Sequence, residues 1–122
     1  MMEDQKKPEY QDMIKTAYAA FNARDIDGVL QVMHPTVKWA RAWEGDYAIG
    51  HEDVRSYWER QWQEINPTVT PVGFTQRADG RLEVQVDQLV KDNEGTVIFS
   101  GIVKHVYLIN DGLFQQMDVE AE

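Results

Sequence analysis

The chain has 122 residues, 43% of them apolar, with 12 lysine and arginine residues against 21 aspartate and glutamate residues. That length predicts one domain, residues 1–122, with residues 1–9 forming a flexible N-terminal tail. The formal charge of −9 disfavours binding to nucleic acid and to anionic membranes, because both need clustered basic residues. The absence of cysteine excludes disulfides and thiolate chemistry. No apolar stretch resembles a signal peptide or a membrane span, so we expect a cytoplasmic protein.

The first third of the chain predicts two helices. Apolar side chains recur at helical spacing from Tyr10 to Phe21, which indicates a first amphipathic helix. Asp25 is suited to cap a second, shorter helix, because its carboxylate can accept the free N–H groups of the next turn. Pro35 is expected to end that helix, since the residue before a proline avoids the helical conformation.

A short strand and a third helix follow. Between Val37 and Trp43 large side chains alternate with smaller ones, which predicts a strand with an aromatic and basic face. Residues 44–50, which include two glycines, are expected to form a loop. An apolar stripe then predicts a helix over residues 52–65, which the Asn66-Pro67 pair ends.

The second half of the chain predicts an antiparallel meander of four strands, because its extended segments are separated by glycine-containing turns. The predicted strands cover residues 69–77, 82–91, 96–109 and 113–119. With residues 93–94 as a two-residue turn, Val86 lies opposite Gly101.

The last hairpin brings two ionisable side chains together. With Asp111-Gly112 as a two-residue turn, His105 lies directly opposite Asp118. Directly opposed Cβ atoms are about 4.5–5.5 Å apart, close enough for a hydrogen bond between imidazole and carboxylate. A one-residue slip in this turn would place the two side chains on opposite faces of the sheet.

Both faces of the predicted meander are largely apolar. One face carries His105, and the other carries Ile102, Leu108 and Met117 among its apolar residues. Three helices can cover only one of the two faces, and an uncovered apolar face needs a partner. We therefore expect a homodimer that forms through the uncovered sheet face.

Several local sequences, taken in order, resemble the NTF2-like superfamily. They are AFNARDID at 20–27, HPTVKW at 34–39, GHEDV at 50–54 and the closing hairpin at 111–112. The SnoaL-like set, which includes polyketide-cyclase-like and ketosteroid-isomerase-like proteins, is the most similar subgroup. The resemblance implies an α+β, cystatin-like cone in which three N-terminal helices pack on a curled antiparallel β-sheet. It also implies a ligand-binding pocket, although proteins of this fold include both enzymes and non-catalytic binding domains.

The family resemblance selects two candidate catalytic residues. Ketosteroid isomerases use a general-base aspartate and two hydrogen-bond donors, and the matching positions here are Trp39, Ala17 and His105. Because none of the three groups is kept, ketosteroid isomerase activity is not expected. The polyketide cyclases resemble this chain in having a histidine on the penultimate strand and an aspartate on the last, which implies catalytic roles for His105 and Asp118. The alternative is a buried polar pair without a catalytic role.

Five further side chains are candidates for holding a ligand: Trp39, Arg41, Trp43, Trp58 and Tyr18. Aromatic faces suit a small, flat, apolar or aromatic ligand, and Arg41 could hold an anionic or carbonyl group. The helical spacing of Trp58 favours a place in the helix core, and Tyr18 could serve helix packing. Arg41 could stack on Trp43 or pair with Glu44. Three scattered histidines lack the spacing of metal ligands, so neither a metal nor a cofactor is predicted.

Three functions remain open at this point. The first is a cofactor-free isomerase, cyclase or dehydratase that acts on a small cyclic or aromatic carbonyl compound. The second is a non-catalytic ligand-binding protein, and the third is a dimerisation or association module. An open cavity with His105 and Asp118 at its base would favour the first two, whereas a cone filled by its own tryptophans would favour the third.

Overall fold

The computed structural model describes residues 2–41 and 44–121, with side chains described from Tyr10 onward. Its helices are α1 (Met2–Asn22), α2 (Ile26–Leu30) and α3 (Gly50–Glu64). Its strands are β1 (Met33–Arg41), β2 (Asp46–Ile49), β3 (Ile65–Gln76), β4 (Leu82–Asp92), β5 (Val97–Asn110) and β6 (Leu113–Ala121). Within this described part of the chain, no helix is long and apolar enough to cross a membrane.

The described residues contain two long helices and one short helix, and their boundaries differ from the predicted ones. Helix α1 begins earlier than the predicted Tyr10, and Asp25 caps α2 by accepting a hydrogen bond from the Gly28 N–H at 3.1 Å. Helix α2 has five residues and ends before Pro35, which lies inside β1 instead. The pairing of β1 with β6 is interrupted around this proline, and such an irregularity tolerates a residue without an N–H group.

The six strands form one curled, unclosed sheet in the order β2-β1-β6-β5-β4-β3. The α+β class is therefore confirmed. The prediction of a purely antiparallel sheet is wrong, because β1 runs parallel to β6. The long connection from β1 through α3 and the meander makes a parallel pair possible. Strand β2, which pairs with the end of β1, was predicted as a loop.

The hairpin between β4 and β5 keeps its predicted faces although its register differs. Val86 lies opposite Val103, two positions from the predicted partner Gly101. The loop has three residues and ends at Gly95, whose φ of +91° suits glycine, and Ile98 adds one bulged residue. Each insertion moves the pairing by one residue, so the two together restore the predicted inward and outward faces.

The hairpin between β5 and β6 does not bring the predicted catalytic residues together. Its two-residue turn is as predicted, but Gln115 is an extra residue that forms a β-bulge in β6. Beyond the bulge His105 lies opposite Val119, and Asp118 lies opposite Val106. The predicted opposition of His105 and Asp118 is therefore wrong, because one extra residue exchanges the two faces of β6.

The core lies between the inner face of the sheet and the helices. Its fully buried large side chains include Trp58, Tyr107 and Phe114. Met117, predicted on the opposite face, is also buried in this core as a result of the bulge. The outer face of β5 leaves large apolar side chains exposed, among them Ile102 with 37% of its surface accessible.

Candidate functional site

A cavity of about 270 Å³ lies between α1, α3 and the inner face of the sheet. Its wall is mostly apolar, and its aromatic members are Tyr18, Phe21, Trp39, Tyr57, Trp58, Phe99, Tyr107 and Phe114. The tryptophans thus border an open space and do not fill it. This open cone is the geometry expected of a protein that encloses a small molecule.

Trp39 and Trp58 form one side of the cavity. Trp39 points inward from β1, Trp58 points from α3, and their rings meet edge to face with centroids 5.5 Å apart. Trp58 has 1% of its surface exposed, so it belongs to the core and to the cavity wall at once. Trp58 therefore serves in both of the roles that the sequence allowed, as a core residue and as part of the cavity wall.

A hydrogen-bonded cluster of three side chains contributes polar groups to the cavity wall. The Tyr18 hydroxyl on α1 lies 2.6 Å from His105 Nδ1 and 2.7 Å from the Tyr107 hydroxyl on β5. His105 and Tyr107 are two residues apart on one strand, so both face inward by the alternation of the pleat. Tyr18 therefore does more than pack the helix, because it links α1 to two polar groups of the sheet.

Burial keeps this cluster uncharged. It lowers the pKa of His105 to about 4, so the imidazole is neutral at pH 7. It raises the pKa of the Tyr18 and Tyr107 hydroxyls, so both stay protonated. The cluster can donate and accept hydrogen bonds at neutral pH without carrying a charge.

Charged groups are scarce along the cavity. Among the described lining residues Glu120 alone is charged, and it is paired with Arg77 through contacts of 2.7 and 3.1 Å. The hydrogen bonds from Arg77 lower the pKa of Glu120. In the described part of the chain, no three histidine or acidic side chains are grouped closely enough to hold a metal ion.

Arg41 lies away from the cavity wall. Its guanidinium binds both carboxylate oxygens of Asp46, at 2.7 and 2.6 Å, and approaches Glu44 at 3.2 Å. The pairing with Glu44 was one of the alternatives considered from the sequence. These ion pairs satisfy Arg41 at the end of β1, so the structure does not place it against a ligand in the cavity. Trp43, the other candidate in this segment, lies outside the described residues.

Asp118 lies on the outer face of the sheet. Its carboxylate accepts hydrogen bonds from the Tyr47 hydroxyl and, at 2.9 Å, from the Gln116 amide, and Arg81 approaches it at 3.7 Å. It is not among the residues that line the cavity. The structure thus brings His105, Tyr18, Trp39 and Trp58 to one site and leaves Arg41 and Asp118 outside it.

Tyr107 and Met117 are two of the cavity residues that were not proposed from the sequence, and they were missed for different reasons. Tyr107 had a signal that could have found it, since it alternates with His105 on the same strand and carries a hydroxyl. Met117 had none, because its inward direction depends on the bulge at Gln115.

Comparison with known proteins fixes the family. A model of the SnoaL-like domain matches residues 14–114. The chain belongs to the SnoaL-like family. This assignment confirms the resemblance to NTF2-like and polyketide-cyclase-like proteins. No curated protein sequence matches the chain significantly.

Solved structures show the shared SnoaL-like architecture. An NTF2-like protein of unknown function from Burkholderia pseudomallei is 21% identical, with 92% of this chain and 89% of that chain covered and a TM-score of 0.79. TerC, co-crystallised with polyporic acid, is 24% identical over 91% of this chain and 89% of its own, with a TM-score of 0.78. A candidate polyketide cyclase from Xanthomonas campestris pv. campestris is 17% identical over 92% and 89%, with a TM-score of 0.72.

Proposed function

We propose that this SnoaL-like protein binds a small, flat, electrically neutral organic molecule in its cavity. The observation that carries the proposal is the apolar aromatic wall with an uncharged polar cluster, Tyr18, His105 and Tyr107, set into it. No lysine or arginine is among the described lining residues, so an anionic ligand would lose its hydration without gaining a positively charged partner. A neutral ring compound loses little and gains contact with the aromatic wall.

The cavity volume supports a ligand of about two rings. A dry protein cavity of about 150 Å³ accommodates benzene, which has six non-hydrogen atoms. In the same proportion the volume of about 270 Å³ holds about 11 non-hydrogen atoms, as in a fused bicyclic ketone or phenol. A four-ring steroid skeleton exceeds this space, in agreement with the missing ketosteroid isomerase residues.

Binding without turnover fits the geometry better than catalysis by a pair of His105 and Asp118. A general base must reach the proton that it removes, and Asp118 lies on the other face of the sheet. His105 reaches the cavity, but burial lowers its pKa to about 4, which makes it a weak base at pH 7.

Ligand titration tests the proposed function. Tryptophan fluorescence and calorimetry would be used with 1-tetralone, 1-naphthol and the anion 1-naphthoate. We expect the two neutral compounds to bind at least about tenfold more tightly than 1-naphthoate, because the carboxylate would be buried without a positively charged partner. Equal binding of 1-naphthoate, or no binding of any neutral compound, would contradict the proposal.

Two neighbouring residues provide a matched pair of variants for the same titration. Val103 lines the cavity, whereas Ile102 points to the outer face of the same strand. Val103→Phe should reduce ligand affinity by filling the cavity, and Ile102→Phe should leave it unchanged. If Ile102→Phe reduces ligand affinity and Val103→Phe does not, the ligand binds outside the cavity.

We also infer that the outer face of β5 forms a homodimer. Ile98, Ile102 and Leu108 have 49%, 37% and 41% of their surfaces exposed, and several exposed large apolar side chains along one strand are typical of an interaction surface. Sedimentation equilibrium at micromolar concentration should give a dimer for the wild type and a monomer for Ile102→Glu. Ile49→Glu, on β2 at the far edge of the sheet, is the control and should stay dimeric. A monomeric wild type would refute the inference.

A further inference from the structure

The Tyr18 hydroxyl stands between two polar partners and has only one proton. It lies 2.6 Å from His105 Nδ1 and 2.7 Å from the Tyr107 hydroxyl. Each of these contacts needs one proton between its two heavy atoms. Tyr18 must therefore donate to one neighbour and accept from the other, which leaves two possible arrangements.

In the first arrangement Tyr107 donates to Tyr18 and Tyr18 donates to His105 Nδ1. The imidazole, which is neutral, then carries its proton on Nε2. In the second arrangement His105 Nδ1 donates to Tyr18 and Tyr18 donates to Tyr107. The Tyr107 proton is then left over and needs another acceptor.

Burial decides between the two arrangements. Tyr107 has no exposed surface, and among the described residues its hydroxyl bonds only to Tyr18. The second arrangement would thus leave a buried O–H donor without an acceptor, which is costly. The first arrangement should predominate by roughly five- to a hundredfold.

The second ring nitrogen of His105 faces the cavity. His105 lines the cavity and keeps 8% of its surface exposed, and within the described part of the chain Tyr18 alone hydrogen-bonds its ring. Among the described residues, Trp62 Nε1 is the side-chain nitrogen or oxygen that is fully enclosed and has no hydrogen-bond partner. His105 Nε2 also has no partner among these residues, so it must keep some accessible surface. An N–H group at Nε2 therefore points to open space where a ligand can lie.

We propose that Tyr18 and Tyr107 are positioning residues that fix His105 as the Nε2–H tautomer, so that the cavity selects neutral molecules carrying a carbonyl-type oxygen. This inference rests on the proposed function, because it names the class of ligand that the same cavity takes. The Nε2–H group donates to a ligand oxygen and cannot at the same time accept a proton from the ligand.

Nitrogen-15 NMR of the histidine side chains tests the tautomer without any ligand. His51 Nε2 lies 2.9 Å from the Met33 carbonyl oxygen, so it must be protonated and gives an internal reference. We expect His105 at pH 7 to show a protonated Nε2, as His51 does, together with an unprotonated Nδ1. In Tyr18→Phe the His105 Nδ1 resonance should move to the position of a nitrogen that accepts no hydrogen bond. A protonated Nδ1 in the wild type, or an unmoved Nδ1 resonance in the variant, would overturn the proposal.

A pair of ligands tests the selectivity. 1-Tetralone and tetralin share one bicyclic skeleton, and only the first carries a carbonyl oxygen. The ratio of their affinities should fall by roughly two- to tenfold in His105→Phe, the value of one neutral hydrogen bond. If both compounds bind and the ratio does not change, the selectivity is refuted while the proposed function stands. If neither compound binds, the proposed function fails, and the NMR measurement still decides the tautomer.

Discussion

Replacing His105 with glutamine should flatten the dependence of stability on pH. The imidazole is neutral inside the folded protein, where burial lowers its pKa from 6.5 to about 4. Below pH 6.5 the unfolded chain binds a proton that the folded protein does not, so stability falls as the pH falls toward 4. A difference of about 2.5 pKa units at about 1.36 kcal/mol each gives a loss of about 3 kcal/mol between pH 7 and pH 4. About 2 kcal/mol of this is already lost at pH 5.

Urea denaturation at pH 7.0, 6.0, 5.0 and 4.5, followed by tryptophan fluorescence, measures this loss. Glutamine can still accept a hydrogen bond from Tyr18 but does not titrate, so His105→Gln isolates the contribution of the imidazole. Carboxylates titrate in both proteins and cancel in the difference between their free energies of unfolding. The free energy of unfolding of the wild type minus that of the variant should decrease by about 2 kcal/mol from pH 7 to pH 5. If the free energies of unfolding of the two proteins change in parallel with pH, His105 is not held neutral by burial.

Substitutions at three further positions test other parts of the structure. Tyr107→Phe removes the hydroxyl that donates to Tyr18, and urea denaturation should show a loss of about 1 kcal/mol; an unchanged midpoint would contradict the hydrogen bond. A Cβ added at Gly101 would lie 3.5 Å from the Phe99 ring, an ordinary contact. Gly101→Ala should therefore keep ligand affinity, and the larger Gly101→Leu should weaken it by narrowing the cavity, as calorimetry would show. Asp118→Asn should leave ligand affinity unchanged because the carboxylate is on the outer face; a loss of about tenfold or more would place Asp118 at the site.

The two hairpins show why the sequence predicts the sheet but only part of the site. Between β4 and β5 a three-residue loop and a bulge at Ile98 each shift the pairing by one, and the predicted faces survive. Between β5 and β6 a single bulge at Gln115 shifts the pairing by one residue, and Asp118 therefore lies on the outer face of the sheet. The side chain of Gln115 donates to the Thr36 carbonyl at 3.2 Å, a contact with β1 that local sequence does not encode.

Helical spacing and strand alternation, together with the family resemblance, select His105, Tyr18, Trp39 and Trp58 as candidates, and all four line one cavity. Arg41 is a candidate for the same site because it lies between Trp39 and Trp43 on one face of the predicted strand. Once β2 pairs with β1, Asp46 lies opposite Arg41 and provides a partner for it. A four-residue strand carries too little periodicity to be separated from a loop by its sequence.

The parallel pairing of β1 with β6 has a consequence for how the protein folds. Strand β6 lies between β1 and β5, so it joins the pair β2-β1 to the meander β5-β4-β3. Until β6 emerges during synthesis, the two halves of the sheet share no ladder of hydrogen bonds, and each leaves an unpaired edge. Phe114, Met117 and Val119 on this strand also complete the wall of the cavity. The sheet and the binding site therefore both depend on β6, and chains that stop before it would leave β1 and β5 as additional edges open to aggregation.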